Sequence, residues 1–208
     1  FILDNHLLFP SHRYSRPLSL DQKVYDIIFV GYLRPLKRLD IFLEIISEIT
    51  SSLRRPINVI ILGDGPILPQ LKLQIAELKL EQYIKLAGHC ENVGEYFQKA
   101  RLFVLTSESE GLNMAMIESM AHGVPVVVPN INDLCDVVES GVNGFLVDFG
   151  QVNEYVKNIM FLLDNNDEYL KFSRNAEDTI KELCANRYSL SALAQVWQEQ
   201  IQKALYGI

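Results

Sequence analysis

The stretch RLFVLTSESEGLNMAMIESMAHGVPVVVP, from Arg101 to Pro129, constrains the fold more than any other part of the chain. Leu102 to Leu105 is an apolar run of strand length, and Thr106 to Gly111 is a polar loop carrying Glu108 and Glu110. Leu112 to Ala121 is almost wholly apolar and of helical length, His122-Gly123 ends it, and Val124 to Val128 is a second apolar strand. A strand without polar alternation is covered on both faces, as strands of parallel sheets are. One charge, Glu118, stands inside the apolar helix. A carboxylate there is costly unless a partner or a ligand uses it.

The same alternation fills most of the chain. Asp26 to Val30, Ile57 to Leu62 and Tyr83 to Ala87 read as buried strands, each followed by a glycine-bearing turn. Helices are predicted over Leu39–Ser51, with Ile41, Phe42, Ile45, Ile46 and Ile49 on one face, and over Leu68–Leu78, Asn92–Lys99 and Asn132–Glu139. Phe145 to Val147 is a sixth strand, and from Val152 the chain is helical, with breaks near Asn165-Asn166 and Arg187-Tyr188. The last helix, Leu190 to Leu205, carries Leu193, Val196, Trp197, Ile201 and Leu205 at helical spacing. The expected fold is therefore α/β: a Rossmann-like, doubly wound parallel sheet of about six strands, helices on both faces and a helical C-terminal tail. Three parts are expected: an irregular interdomain segment over 1–22, the α/β domain over 23–186, and the final helix over 187–208.

Such sheets bind ligands beyond the carboxyl ends of their strands. Gly31, Gly63, Gly65, Gly88 and Gly111 all follow predicted strands and should gather on one rim, although none belongs to a G-x-G-x-x-G fingerprint. A net charge of -7 argues against a nucleic-acid binder, while Arg34, Lys37 and Arg38 form a local basic cluster suited to a small anion. Cys90, Cys135 and Cys184 are scattered, as in a reducing compartment. No segment is long and apolar enough to span a membrane, and no signal peptide is visible. The chain begins at Phe1 rather than Met, so a piece of a longer protein is expected.

Glu110 precedes the apolar helix and Glu118 lies about six residues past its start, roughly 9 Å along the axis. Gly111 and Glu118 fall on nearly the same face. Between them the free N–H groups of Leu112 and Asn113 face a helix N-terminus that favours an anion. Carboxylate, anion site and carboxylate in that order suit a ligand with sugar, phosphate and ribose in line. The plain alternative is that Glu110 caps the helix and Glu118 pairs with a buried base.

The segment Ser107 to Val127 resembles the Glu-x7-Glu signature of family 4 glycosyltransferases of the GT-B fold, in its setting S-x-x-E-G-L/F-x5-E-x-M-A-x-G-x-P-V-V. VGYLRPLKRLD is similar to that family's first phosphate loop, ILGDGP to its second strand and loop, IKLAGHCENVGEYFQKA to the segment around the nucleobase, and SGVNGFLVD to its later turn. The resemblance implies the C-terminal, donor-binding half of a retaining, metal-independent glycosyltransferase without a cofactor, its donor a nucleoside diphosphate sugar. Glu110 would hold donor-sugar hydroxyls, Leu112 and Asn113 would bind the sugar or its phosphate, and Glu118 would bind the ribose. Lys37 would neutralise the diphosphate, and Gly88, His89 and Asn92 would line the base. Where the family places Arg after the first-loop glycine, this chain has Tyr32, and Arg34 and Arg38 are the nearby substitutes. The fifth-strand exit, Asn130-Ile131-Asn132, also departs from the family's glycine pair.

The acceptor, a glycan, lipid or protein, would be met by an N-terminal half that this chain lacks, and the last helix would cross back to that half with Trp197 as an anchor. The resemblance further implies a cytoplasmic enzyme, at the inner face of the membrane if that half associates with it peripherally. Two rivals stand beside this reading: a non-catalytic glycosyltransferase-like subunit that binds a partner or glycan, and a GT-B sugar-nucleotide epimerase.

Overall fold

The computed structural model of the chain describes residues 18–52, 56–111 and 113–186. Most of the interdomain segment, the expected crossing helix over 187–208 and Leu112 lie outside the described residues. Six strands, β1 (Tyr25–Val30), β2 (Val59–Leu62), β3 (Ile84–Gly88), β4 (Ala100–Val104), β5 (Val126–Pro129) and β6 (Gly144–Val147), form one sheet in the order β3-β2-β1-β4-β5-β6. Every pairing is parallel.

Among the described residues six α-helices cover the sheet: α1 (Leu39–Ser52), α2 (Leu68–Glu77), α3 (Val93–Lys99), α4 (Met114–Ala121), α5 (Val152–Asp164) and α6 (Asn166–Asn186). Helix α1 packs on α2 and α5, and α4 packs on α3 and α6, so each group covers one face. That double cover explains the unbroken apolar strands: Ile27, Ile28, Phe29, Leu102, Phe103, Val104, Val126, Val127 and Val128 are all fully buried. Burying a side chain of this size stabilises by about 1.5–3 kcal/mol. The α/β expectation is met.

Strand order reverses between β1 and β4. The two strands lie side by side, with Ile27 opposite Leu102 and Ile28 opposite Phe103. Their outgoing chains lead to α1 on one face and α4 on the other, which leaves a crevice at the carboxyl end of the pair. At the opposite rim, Arg101 fastens the helical layer. Its Nη2 donates to Leu163 O at 3.1 Å, Nη1 lies 3.8 Å from Asp26, and the guanidinium sits 5.3 Å over the Tyr169 ring.

The helix expected over Asn132–Glu139 is absent. A short 3-10 turn, Asn132–Leu134, is followed by further turns. Leu134, Val137 and Val138 are buried as a helical stripe would be, but their backbone takes another path. Asn143 accepts from Glu139 N at 2.9 Å and donates to Val137 O at 3.0 Å, engaging groups that a helix would have paired internally.

Candidate functional site

The rim is built from loops that leave the sheet and pack on one another. After β1 the chain passes Gly31 and Tyr32, buries Leu33 completely, turns at Pro35–Lys37 and reaches Arg38 in a left-handed conformation (φ 48). Leu33 N donates to Asp64 O at 2.9 Å, Ile67 N to Leu33 O at 3.2 Å, and Gly63 N to Gly88 O at 2.7 Å. The turns after β1, β2 and β3 are thereby one unit. A Cβ on Gly63 would lie 1.9 Å from Gly31 O, and one on Gly65 would lie 2.3 Å from Leu33 O. Both glycines were expected at the donor. The structure gives them a prior task, which is to let two loops touch.

The crevice between β1 and β4 is laced by side chains. Thr106 Oγ1 lies 3.0 Å from both Lys37 O and Arg38 O, and Glu108 N donates to Leu36 O at 3.0 Å. Lys37 Nζ reaches Glu110 Oε1 at 2.5 Å, with both side chains 9% exposed. A Cβ at Gly31 would sit 3.5 Å from Lys37 Cε, an ordinary van der Waals contact, so the loop passes close beside the lysine stem. A charge-assisted bond this far from water is among the stronger polar contacts a protein makes.

Arg38 has other work than the free cation expected of it. It holds Asp40 at 2.7 Å and Glu108 at 2.5 Å, and its guanidinium lies 5.2 Å over the Phe149 ring. Its hydrogen bonds to Asp40 and then Glu108 hold that guanidinium above its ordinary range, and Arg38 in turn lowers the Asp40 carboxyl. Arg34 is exposed at the start of the Pro35–Lys37 turn, and Tyr32 is 62% exposed at the loop's tip.

On α4 the cap is Asn113, not Glu110: the Asn113 side-chain oxygen accepts from Met116 N at 2.9 Å. Helix α4 buries Met116, Ile117, Ser119, Met120 and Ala121. Gly111, Met114, Ala115 and Glu118 are its more accessible positions, at the spacing of one helical face. Glu118 is half-buried and has no hydrogen-bonding or ionic partner for its carboxylate among the described residues. Among the described residues no base pairs with it. Burial alone pushes its carboxyl above the usual range. His122 ends the helix as expected, and burial, then the nearby Lys23 charge, lower its imidazole to about 4.

A cleft of about 630 Å³ opens beside this crevice, between the turns after β1, β2 and β3. Tyr32, Gly31, Gly63, Asp64, His89 and Cys90 line it. Gly88 ends β3 at a register shift opposite Leu62, with φ +71. Asn92 instead starts α3 and turns its amide to Glu95 at 2.7 Å. The structure thus brings Lys37, Arg38 and Glu110 together across the crevice and Tyr32, Gly31, Gly63 and His89 around the cleft. Arg34 and Asn92 belong to neither group. Thr106, Glu108, Asp40 and Asp64 escaped sequence reasoning. The signal for one of them, Glu108, was charge: a basic loop, LRPLKR, faces an acidic one, SESEG. Among the described residues no three His, Cys, Asp or Glu converge as a metal site would need.

Comparison with known proteins gives this rim a family. The profile of "Glycosyl transferases group 1" matches residues 11–179. An uncharacterized glycosyltransferase of Haemophilus influenzae is 26% identical over 95% of this chain and 53% of its own length. The poly(ribitol-phosphate) alpha-N-acetylglucosaminyltransferase of Staphylococcus aureus is 27% identical over 78% of this chain and 32% of its own. A variant of S. aureus TarM, solved with fondaparinux, alpha-GlcNAc-glycerol and UDP, superposes with a TM-score of 0.79 at 23% identity, over 89% of this chain and 37% of that one. The chain spans about half or less of the curated relatives it matches. With a doubly wound sheet matched by GT-B structures and a family profile covering most of its length, the chain belongs to the glycosyl transferases group 1 family.

Proposed function

We propose that this chain is the donor-binding half of a retaining, metal-independent glycosyltransferase. It would bind a nucleoside diphosphate sugar for transfer to an acceptor hydroxyl, in polysaccharide, lipopolysaccharide or glycoconjugate synthesis. One observation carries the reading. A buried lysine meets a carboxylate at the strand-order switch, and a second carboxylate, Glu118, without a partner among the described residues, stands on the accessible face of α4.

In this reading Lys37 takes the diphosphate, and Arg34, which stands outside the crevice on the same loop, reaches it only from the solvent side. Glu110 takes the sugar hydroxyls, the backbone around Gly111 and Asn113 takes the sugar or its phosphate, Glu118 takes the ribose, and the Tyr32–His89 cleft takes the base. The work of this half is orientation of the donor and stabilisation of the charge that develops on the departing diphosphate. Acceptor recognition and any membrane association belong to the rest of the protein. A non-catalytic binding module is the competing reading, supported by the exposed Tyr32 where the family's loop carries arginine.

Calorimetric titration with UDP and GDP tests the proposal. One of them is expected to bind weakly to the chain, and Glu118→Ala to abolish that binding. Binding of neither nucleotide would favour the non-catalytic module, and binding unchanged by Glu118→Ala would remove the ribose role.

Glu118 also yields a stability test with the opposite sign. Burial raises its folded-state pKa above the unfolded value, so between the two the folded chain holds more protons and stability falls as pH rises. Ionised Glu118 is a net cost at neutral pH. Glu118→Gln is therefore expected to raise the unfolding temperature at pH 7, to lose that advantage below the carboxylate range, and to weaken nucleotide binding. A lowered unfolding temperature at pH 7 would show that the carboxylate is satisfied within the fold.

A further inference from the structure

Lys37 Nζ and Glu110 Oε1 are 2.5 Å apart, cut off from most solvent, and supplied by loops from two different strands. If the donor binds as proposed above, on which this inference rests, each group acquires a further partner. An ammonium has three donors, so Lys37 can in principle hold a carboxylate and a phosphate at once. Doing so places two anions around one cation where solvent screens poorly, and their repulsion opposes binding. The arrangement is relieved if Glu110 swings away, but its carboxylate then gives up the ammonium, which is costly at low exposure.

A bare nucleoside diphosphate provides nothing to offset either cost. An intact sugar nucleotide does, because its hydroxyls donate to Glu110 as the diphosphate takes Lys37. The lacing of the two loops keeps both residues in this arrangement. Thr106 Oγ1 at Lys37 O and Arg38 O, Glu108 N on Leu36 O, and Arg38 on Glu108 tie the lysine's backbone to the strand end that precedes the glutamate. The pair cannot simply drift apart.

We propose that Glu110 is a specificity determinant that discriminates the intact donor from its own spent diphosphate, by competing with the diphosphate for Lys37. This is selection by an unfavourable element directed at the wrong ligand. It gives the carboxylate a task beyond holding the sugar: after transfer removes the sugar, Glu110 returns to Lys37 and favours release of the diphosphate.

The test is a set of titrations on the 208-residue chain. Uridine and guanosine, their diphosphates and the corresponding hexose conjugates are titrated against the unaltered chain, Glu110→Gln and Glu110→Ala, with thermal unfolding to confirm folding. The expected result is counterintuitive: deleting a binding-site carboxylate tightens the diphosphate about tenfold, leaves the nucleoside unchanged, and leaves the intact donor unchanged or weaker. The ratio of the two dissociation constants then collapses by an order of magnitude or more. Diphosphate affinity that is unchanged or weaker in the folded variants would overturn the inference while leaving the donor-site reading in place. Absence of diphosphate and donor binding in all three proteins would overturn both.

Discussion

Replacing Lys37 by methionine is expected to weaken nucleoside diphosphate binding about a hundredfold and to leave the bare nucleoside bound as before. Methionine keeps most of the apolar length of the side chain and removes the ammonium. The loss has two parts. A hydrogen bond to a charged group contributes about 1.5–3 kcal/mol, roughly ten- to a hundredfold in affinity. The remaining Glu110 carboxylate then faces the diphosphate with no cation between them. The same substitution lowers stability by about 3 kcal/mol, because one half of a pair with 9% exposed side chains is left behind. Adding Glu110→Gln to Lys37→Met should recover most of the stability but only the part of the affinity lost to the leftover carboxylate. Calorimetry with nucleoside and diphosphate, beside urea unfolding, reads both effects. A diphosphate affinity within threefold of the unaltered chain would place the anion site elsewhere.

Gly63→Ala is expected to be the most disruptive single methyl that the rim can receive. A Cβ there would stand 1.9 Å from Gly31 O, a backbone atom that cannot rotate away, and the residue's φ of +141 is one that L side chains rarely adopt. The loop after β1 must move, and with it Leu33, whose backbone is bonded to Asp64 and Ile67. A cost of about 3 kcal/mol or more is expected, which for a domain of this size is a fall of roughly 6–12 °C in unfolding temperature. Gly111→Ala is the contrast. Nothing lies within 4 Å of a Cβ at Gly111, so stability should hardly change. Equal effects at the two positions would show that loop contact is not what Gly63 provides.

The sheet was legible because its strands are apolar without alternation, and only a layer of helices on each face permits that. Element boundaries shifted by a residue or two, as with β4 starting at Ala100 rather than Leu102. The turn after β5 was misread because Leu134, Val137 and Val138 have helical spacing, while the residue that diverts their backbone, Asn143, comes later in the chain. The pairings that build the crevice were not legible. Lys37 and Glu110 are 73 positions apart, so nothing local announces that they touch. Arg38 looked available because its tie to Glu108 spans 70 positions. Glu118 was the opposite case: a charge in an apolar helix is visible in the sequence itself, and no base meets it among the described residues.

The central claim is that the crevice between β1 and β4 receives a sugar nucleotide with its diphosphate at Lys37 and its ribose at Glu118. The most direct measurement is a crystal structure of the chain with UDP–hexose or GDP–hexose, whichever titrates. Phosphate oxygens are expected within hydrogen-bond distance of Lys37 Nζ, ribose hydroxyls on the Glu118 carboxylate, and the base in the Tyr32–His89 cleft. A nucleotide bound with its ribose away from Glu118 and its phosphates away from Lys37 would contradict it.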